Sequence, residues 1–149
     1  MAAAIKETLG RTLKEVDFAD AEDLLSTQLP EEYKEFLLAN NGGAPSKTYF
    51  MTEDESVETD VRFFLPYDDG AEETVMDEIE NITLEGVLPK QIFPIATTSC
   101  GNRVVLSCRK DDFGVVYFWA WDEQGDDRPS YDFLHEVAED FTSFVDGLK

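Results

Sequence analysis

His135 is the single histidine of the chain, so any Ser-His-Asp or Cys-His mechanism must run through it, with Cys100, on a turn beside Gly101, as the nucleophile. A thiol at a turn and a histidine ahead of a helix also arise without any function. No base-orienting motif surrounds either residue, so no catalytic residue is expected. Cys100 and Cys108 lack CxxC spacing and a nearby histidine, which argues against zinc. The run Asp122-Glu123-Gln124-Gly125-Asp126-Asp127 imitates a calcium loop, but position six, which needs Gly, is Asp127, and position twelve, which needs a bidentate Glu, is Phe133. Neither a metal nor a cofactor is expected. Gly42-Gly43 is followed by no Gly-Lys-Ser/Thr and reads as a helix cap, because a helix C-terminus repels phosphate.

Recognition is a better use of these residue types than catalysis. The chain has 149 residues with 33 acidic and 12 basic side chains, a formal charge of −21. Such a field repels nucleic acid and anionic membrane alike. It also exceeds the magnitude of roughly 2–8 that keeps a small domain soluble, so either an acidic host proteome or a basic partner accounts for it, and the partner is favoured. Acidic groups cluster at 53–60, 68–73, 77–80 and 122–127. Tyr117, Trp119 and Trp121 alternate along one strand face and are expected in the core, except Trp121, which stands beside Asp122 and Glu123 as an interface anchor. The partner surface is therefore expected to draw on Glu53, Asp54, Glu55, Glu58, Asp60, Asp68, Asp69, Trp121, Asp122, Glu123, Asp126 and Asp127.

Apolar residues make up 42% of the chain, enough to fold one domain over 1–149. Ile5, Leu9, Leu13 and Val16 fall at helical spacing, interrupted by Gly10. Asp20 is placed to cap a short helix over 21–25. Pro30 followed by Glu31 and Glu32 opens a third, with Tyr33, Phe36, Leu37 and Asn40 on one face and Asn40-Asn41-Gly42-Gly43 ending it. Tyr49–Met51 and Val61–Leu65 read as strands around an acidic loop, 53–60. A helix over 71–82 turns Val75, Met76, Ile79 and Ile82 inward and Glu72, Glu73, Asp77, Glu78 and Glu80 outward. Strands at 92–96, 103–109 and 115–121 form an antiparallel meander, and Val137, Ala138, Phe141, Phe144, Val145 and Leu148 predict a closing helix. This order lacks strict β-α alternation and predicts an α+β fold: N-terminal helices and a C-terminal helix on a mainly antiparallel sheet. There is no signal-like start and no apolar run of membrane-spanning length, and two unpaired cysteines suit a reducing compartment, so a cytoplasmic protein is expected.

Three blocks carry a family resemblance. Leu29-Pro30-Glu31-Glu32-Tyr33-Lys34-Glu35-Phe36-Leu37 with Asn41-Gly42-Gly43 resembles the LP-x-x-Y-x-x-F-L helix and NGG exit of the SUKH superfamily. Phe93-Pro94-Ile95-Ala96, Gly101-Asn102, Val105-Leu106 and Gly114 to Trp119 resemble its central strands, and Phe141-Thr142-Ser143-Phe144-Val145 its closing helix. Residues 44–92 depart from the pattern. That superfamily includes bacterial immunity proteins against polymorphic toxins and related fungal cell-wall assembly regulators. The resemblance implies a binding protein without enzymatic chemistry, and its leading form is an immunity protein that blocks a basic nuclease toxin. A regulatory or scaffold protein of the same fold is the alternative, and a hydrolase built on Cys100 and His135 is the third.

Overall fold

The computed structural model describes residues 5, 10–68, 73–124 and 132–149. A 3₁₀ turn, Glu15–Phe18, leads into α1 (Ala19–Leu25) and then α2 (Glu31–Ala39). The strands are β1 (Tyr49–Met51), β2 (Glu58–Phe64), β3 (Ile92–Thr98), β4 (Arg103–Ser107), β5 (Val116–Trp119) and β6 (Leu134–Ala138). Between β2 and β3, α3 (Val75–Glu78) runs on into a π-helical segment, Ile79–Thr83; α4 (Trp121–Gln124) follows β5, and α5 (Phe141–Asp146) closes the chain. All six strands pair antiparallel in chain order, which makes the fold α+β.

Period-two alternation assigns the two sheet faces. On β4 and β5, Val104, Leu106, Val116 and Phe118 enter the main core with Tyr33, Leu37, Phe64, Phe93, Phe141 and Phe144, while Val105 and Trp119 enter a smaller cluster with Val87, Leu88 and Ile92. Both faces of β5 are thus covered, as its sequence predicts. Trp119 donates its indole N–H to Gln124 at 2.7 Å, and Gln124 donates in turn to the Val87 carbonyl, so the second cluster closes around satisfied polar groups. Helix α2 places Tyr33 and Leu37 in the core as expected, but Phe36 is only partly buried, its ring tilted against Phe64 and edge-on to Phe141 at centroid distances of 4.9 and 5.0 Å.

Several sequence expectations are corrected. Residues 10–14 are not helical: the Gly10 N–H bonds the Asn41 carbonyl, Ile5 bridges Pro45, and Val16 is 73% exposed. Helix α1 starts one residue before Asp20, with Phe18 at its cap position and no side-chain cap. Asn40 leaves α2 in extended geometry, so the glycines act further on. Gly42, at φ +82°, lies so close to the Pro66 backbone that a Cβ would meet Pro66 N at 2.6 Å, and Gly43 exchanges backbone bonds with Phe64. They dock the helix exit onto β2 and do not cap α2. Glu58 and Asp60 belong to strand β2, and Trp121 opens α4 instead of ending a strand. Glu78, expected outside, is buried against Arg103. Finally, Val137 and Ala138 lie in β6: the closing helix begins only after Asp140, whose carboxylate accepts the Ser143 N–H at 2.7 Å.

The sheet curls until its first loop reaches its last strand. The Glu53 N–H donates to the Glu136 carbonyl at 2.7 Å, and Tyr49 and Lys149 exchange a pair of backbone bonds.

Candidate recognition groove

The β1–β2 turn is built by one carboxylate. Asp54 accepts the Thr52 hydroxyl at 2.7 Å, the Ser56 hydroxyl at 2.7 Å and the Ser56 N–H at 3.0 Å. These donors, Ser56 foremost, hold its pKa well below the usual carboxylate range. Asp54 also approaches His135 Nδ1 at 3.5 Å, the same nitrogen that Ser56 Oγ reaches at 3.5 Å. A Ser-His-Asp relay needs the acid on one ring nitrogen and the hydroxyl on the other. Here both meet one nitrogen, and the serine bonds the aspartate directly, an arrangement that ties the turn to β6. Glu55, at the tip, is exposed and holds φ +60°, left-handed geometry that costs a side-chain-bearing residue of order 1 kcal/mol.

A groove of about 270 Å³ opens between the start of β2, the β3–β4 turn and the start of α4. Apolar Val57, Phe118 and Ala120 line it together with Thr59, Cys100, Asn102 and the carboxylates Glu58, Asp122 and Glu123. The Tyr49 hydroxyl bonds the Glu58 carboxylate. Asn102 fixes this geometry, because its carboxamide oxygen accepts the Asp122 N–H at 3.1 Å and its NH₂ group donates towards Cys100 Sγ at 3.6 Å. Asp60, on the same strand, accepts the Ser99 N–H at 3.3 Å. Cys100 is exposed at the turn. Partial burial opposes its thiolate, but the Thr98 hydroxyl, the Asn102 backbone, the Thr59 hydroxyl and the Asn102 side chain outweigh that and lower its pKa. Cys108 is buried in the core, and burial pushes its thiol up.

The structure therefore brings Glu58, Asp122 and Glu123 together from segments more than sixty residues apart, with Asp60 anchored alongside. Trp121 is 46% exposed, but it does not line this groove; its ring packs edge-on against Trp119 at 5.0 Å on the other face of the strand. Asp68 lies apart, held by Arg11 at 2.7 Å. Asp69, Asp126 and Asp127 fall outside the described residues. Sequence reading left out Phe118, Ala120, Thr59 and Asn102 as groove residues; only the Gly101-Asn102 turn signal pointed near them. Among the described residues no three His, Cys, Asp or Glu side chains converge to hold a metal ion, and no helix is long and apolar enough to cross a membrane.

A six-stranded antiparallel meander buttressed by short helices, with an acid-lined groove beside β2 and α4, is an α+β architecture. Residues 12–147 match the SMI1 / KNR4 family (SUKH-1), and the chain belongs to that family, which carries an immunity or regulatory role exercised through protein interactions. No curated protein matches the chain significantly.

Proposed function

We propose that this protein is an immunity protein that binds a basic toxin domain, a nuclease, and blocks its active surface. The observation that carries the reading is the distribution of charge across the hairpin and the groove: Glu53, Glu55, Glu58, Asp60, Asp122 and Glu123 form no ion pair with any described cation. Carboxylates kept unpaired raise self-repulsion, and a basic partner turns that repulsion into steering, with association at up to about 10⁸–10⁹ M⁻¹s⁻¹ at low salt. The function requires no bond to be made or broken by this chain. Family membership also admits a regulatory or scaffold protein with a housekeeping partner.

Co-purification from the native cell, with identification of the bound protein, separates the two. A basic domain whose nuclease activity falls when this protein is added supports immunity. A housekeeping protein bound instead, with no effect on its activity, overturns it in favour of regulation.

A further inference from the structure

The exit of α2 is held by a carboxamide that uses both of its ends. Asn41, only 2% exposed, donates from Nδ2 to the Arg11 carbonyl at 2.8 Å and accepts the Tyr67 N–H on Oδ1 at 2.6 Å, while its own carbonyl accepts the Gly10 N–H at 2.9 Å. The two side-chain partners are backbone groups of opposite polarity. The position therefore needs a donor and an acceptor together, which asparagine supplies and an ionised aspartate does not. Gly42 follows, packed so closely against the Pro66 backbone that no Cβ fits. The same missing side chain has a chemical cost, because in an open chain nothing shields the Gly42 nitrogen from the Asn41 side-chain carbonyl carbon.

We infer that Asn41-Gly42 is a modification site gated by the fold: it deamidates when the α2 exit undocks and is inert while docked. The Gly42 nitrogen bonds Asn41 Cγ, the Cγ–Nδ2 bond breaks, and ammonia leaves with the proton from the Gly42 nitrogen. Water then opens the cyclic imide to aspartate or isoaspartate. The docked geometry opposes the first step, since the Gly42 N–H is engaged by the Asn40 carbonyl at 2.9 Å and both ends of the Asn41 carboxamide are bonded elsewhere. The product cannot restore the contact. Its carboxylate faces the Arg11 carbonyl without a hydrogen to donate, and isoaspartate also lengthens the main chain next to Pro66. A transient opening is thereby made irreversible.

The test incubates the full-length protein in mildly alkaline buffer, folded and in urea beyond its unfolding midpoint, and follows each asparagine by peptide mapping with mass spectrometry. Asn41 should convert at least about tenfold faster in urea than in the folded chain. In urea, Asn81 and Asn102 should lag behind it, because Ile82 and Arg103 carry side chains that shield the backbone nitrogen. Asn41→Asp, the substitution that deamidation makes, should lower the melting temperature by about 4 °C or more, while Asn81→Asp, at an exposed position of the π-helical segment, should leave it within about 2 °C. Equal conversion of Asn41 in the folded and unfolded chain, no conversion in urea, or an Asn41→Asp variant as stable as wild type would each overturn the inference.

Discussion

Around helices α1 to α3 several acidic residues are tied down by cations, while across the hairpin and groove Glu53, Glu55, Glu58, Asp60, Asp122 and Glu123 pair with no described cation. Arg11 joins Asp17 and Asp68, Lys34 reaches Glu15, Glu22 and Glu31 at 3.7, 3.5 and 3.1 Å, and Arg103 reaches Glu73 and the buried Glu78. With 12 cations for 33 acids, pairing cannot be general, so where the cations go is informative. Arg11, Lys34 and Arg103 are placed where they brace α1, α2 and α3. The same residue types thus brace the architecture in one region and stand without a described cation in the other.

The largest effect should come from breaking the paired region. Arg103→Ala leaves Glu78, only 7% exposed, buried without its partner at 2.7 Å. Loss of one partner of a buried pair costs about 3–5 kcal/mol, and the lower end applies because the Arg103 side chain is itself 20% exposed. Thermal or denaturant unfolding checks this; a variant as stable as wild type would mean that the pair is ornamental.

Neutralising the free region should do the opposite. Glu58→Gln, Asp122→Asn and Glu123→Gln together should change stability by no more than about 0.5 kcal/mol, yet slow association with the cognate partner by on the order of tenfold at low salt. Stopped-flow mixing should show the wild-type rate falling as the Debye length shrinks from about 10 Å at 0.1 M salt to about 3 Å at 1 M. A rate indifferent to salt and to the triple variant would assign the acidic excess to solubility.

Acid separates the exposed, hydrogen-bonded carboxylates from the buried one. Asp17, bonded by Arg11 and the Lys14 N–H, and Asp54, bonded by Ser56 and Thr52, both have lowered pKa values, so the stability they add is complete above their ordinary 3.8 and is lost as pH falls through their lower folded values. Glu78 has the reverse sign. Burial, only partly offset by Arg103, raises its pKa above 4.5, so its contribution declines as pH rises from 4.5 through the folded value and returns on acidification. Asp54→Asn should accordingly flatten the loss of stability below pH 3.8, measured by denaturant midpoints across pH. The smallest effect belongs to the hairpin tip: Glu55→Asn eases the left-handed strain and should stabilise by about 0.5 kcal/mol, readable as a small rise in melting temperature.

Much of the architecture is legible in the sequence because its signals are local. Pro30 with its trailing acids marks α2, and two-sided apolarity marks β5 as a covered strand. Strand β6 was hidden because Val137 and Ala138 sit at helical steps from Phe141 and Phe144, and because a half-exposed edge strand has no apolar alternation to show. The cue against one long helix was Asp140, an N-cap that marks the helix start and leaves its predecessors outside. At the site, sequence picked out Glu58, Asp122 and Glu123 by charge but could not join them, since only the curl of the sheet brings β2 beside α4. Glu78 reads as exposed in the sequence because its pairing with Arg103 spans 25 residues and depends on the register of β4.

That curl also orders the folding of the chain. Each strand meets its predecessor in the chain, directly or through a short helical connection, so strands can be added one after another at modest loop-closure cost. The seam is different, because Tyr49 and Lys149 are about a hundred residues apart, and Glu53 and Glu136 nearly as far. Contacts of such separation are rewarded only after the intervening chain is in place. The seam is therefore the last pairing to zip and the first to part, and the Tyr49 and Glu53 amides should exchange with solvent well before those of β3 and β4.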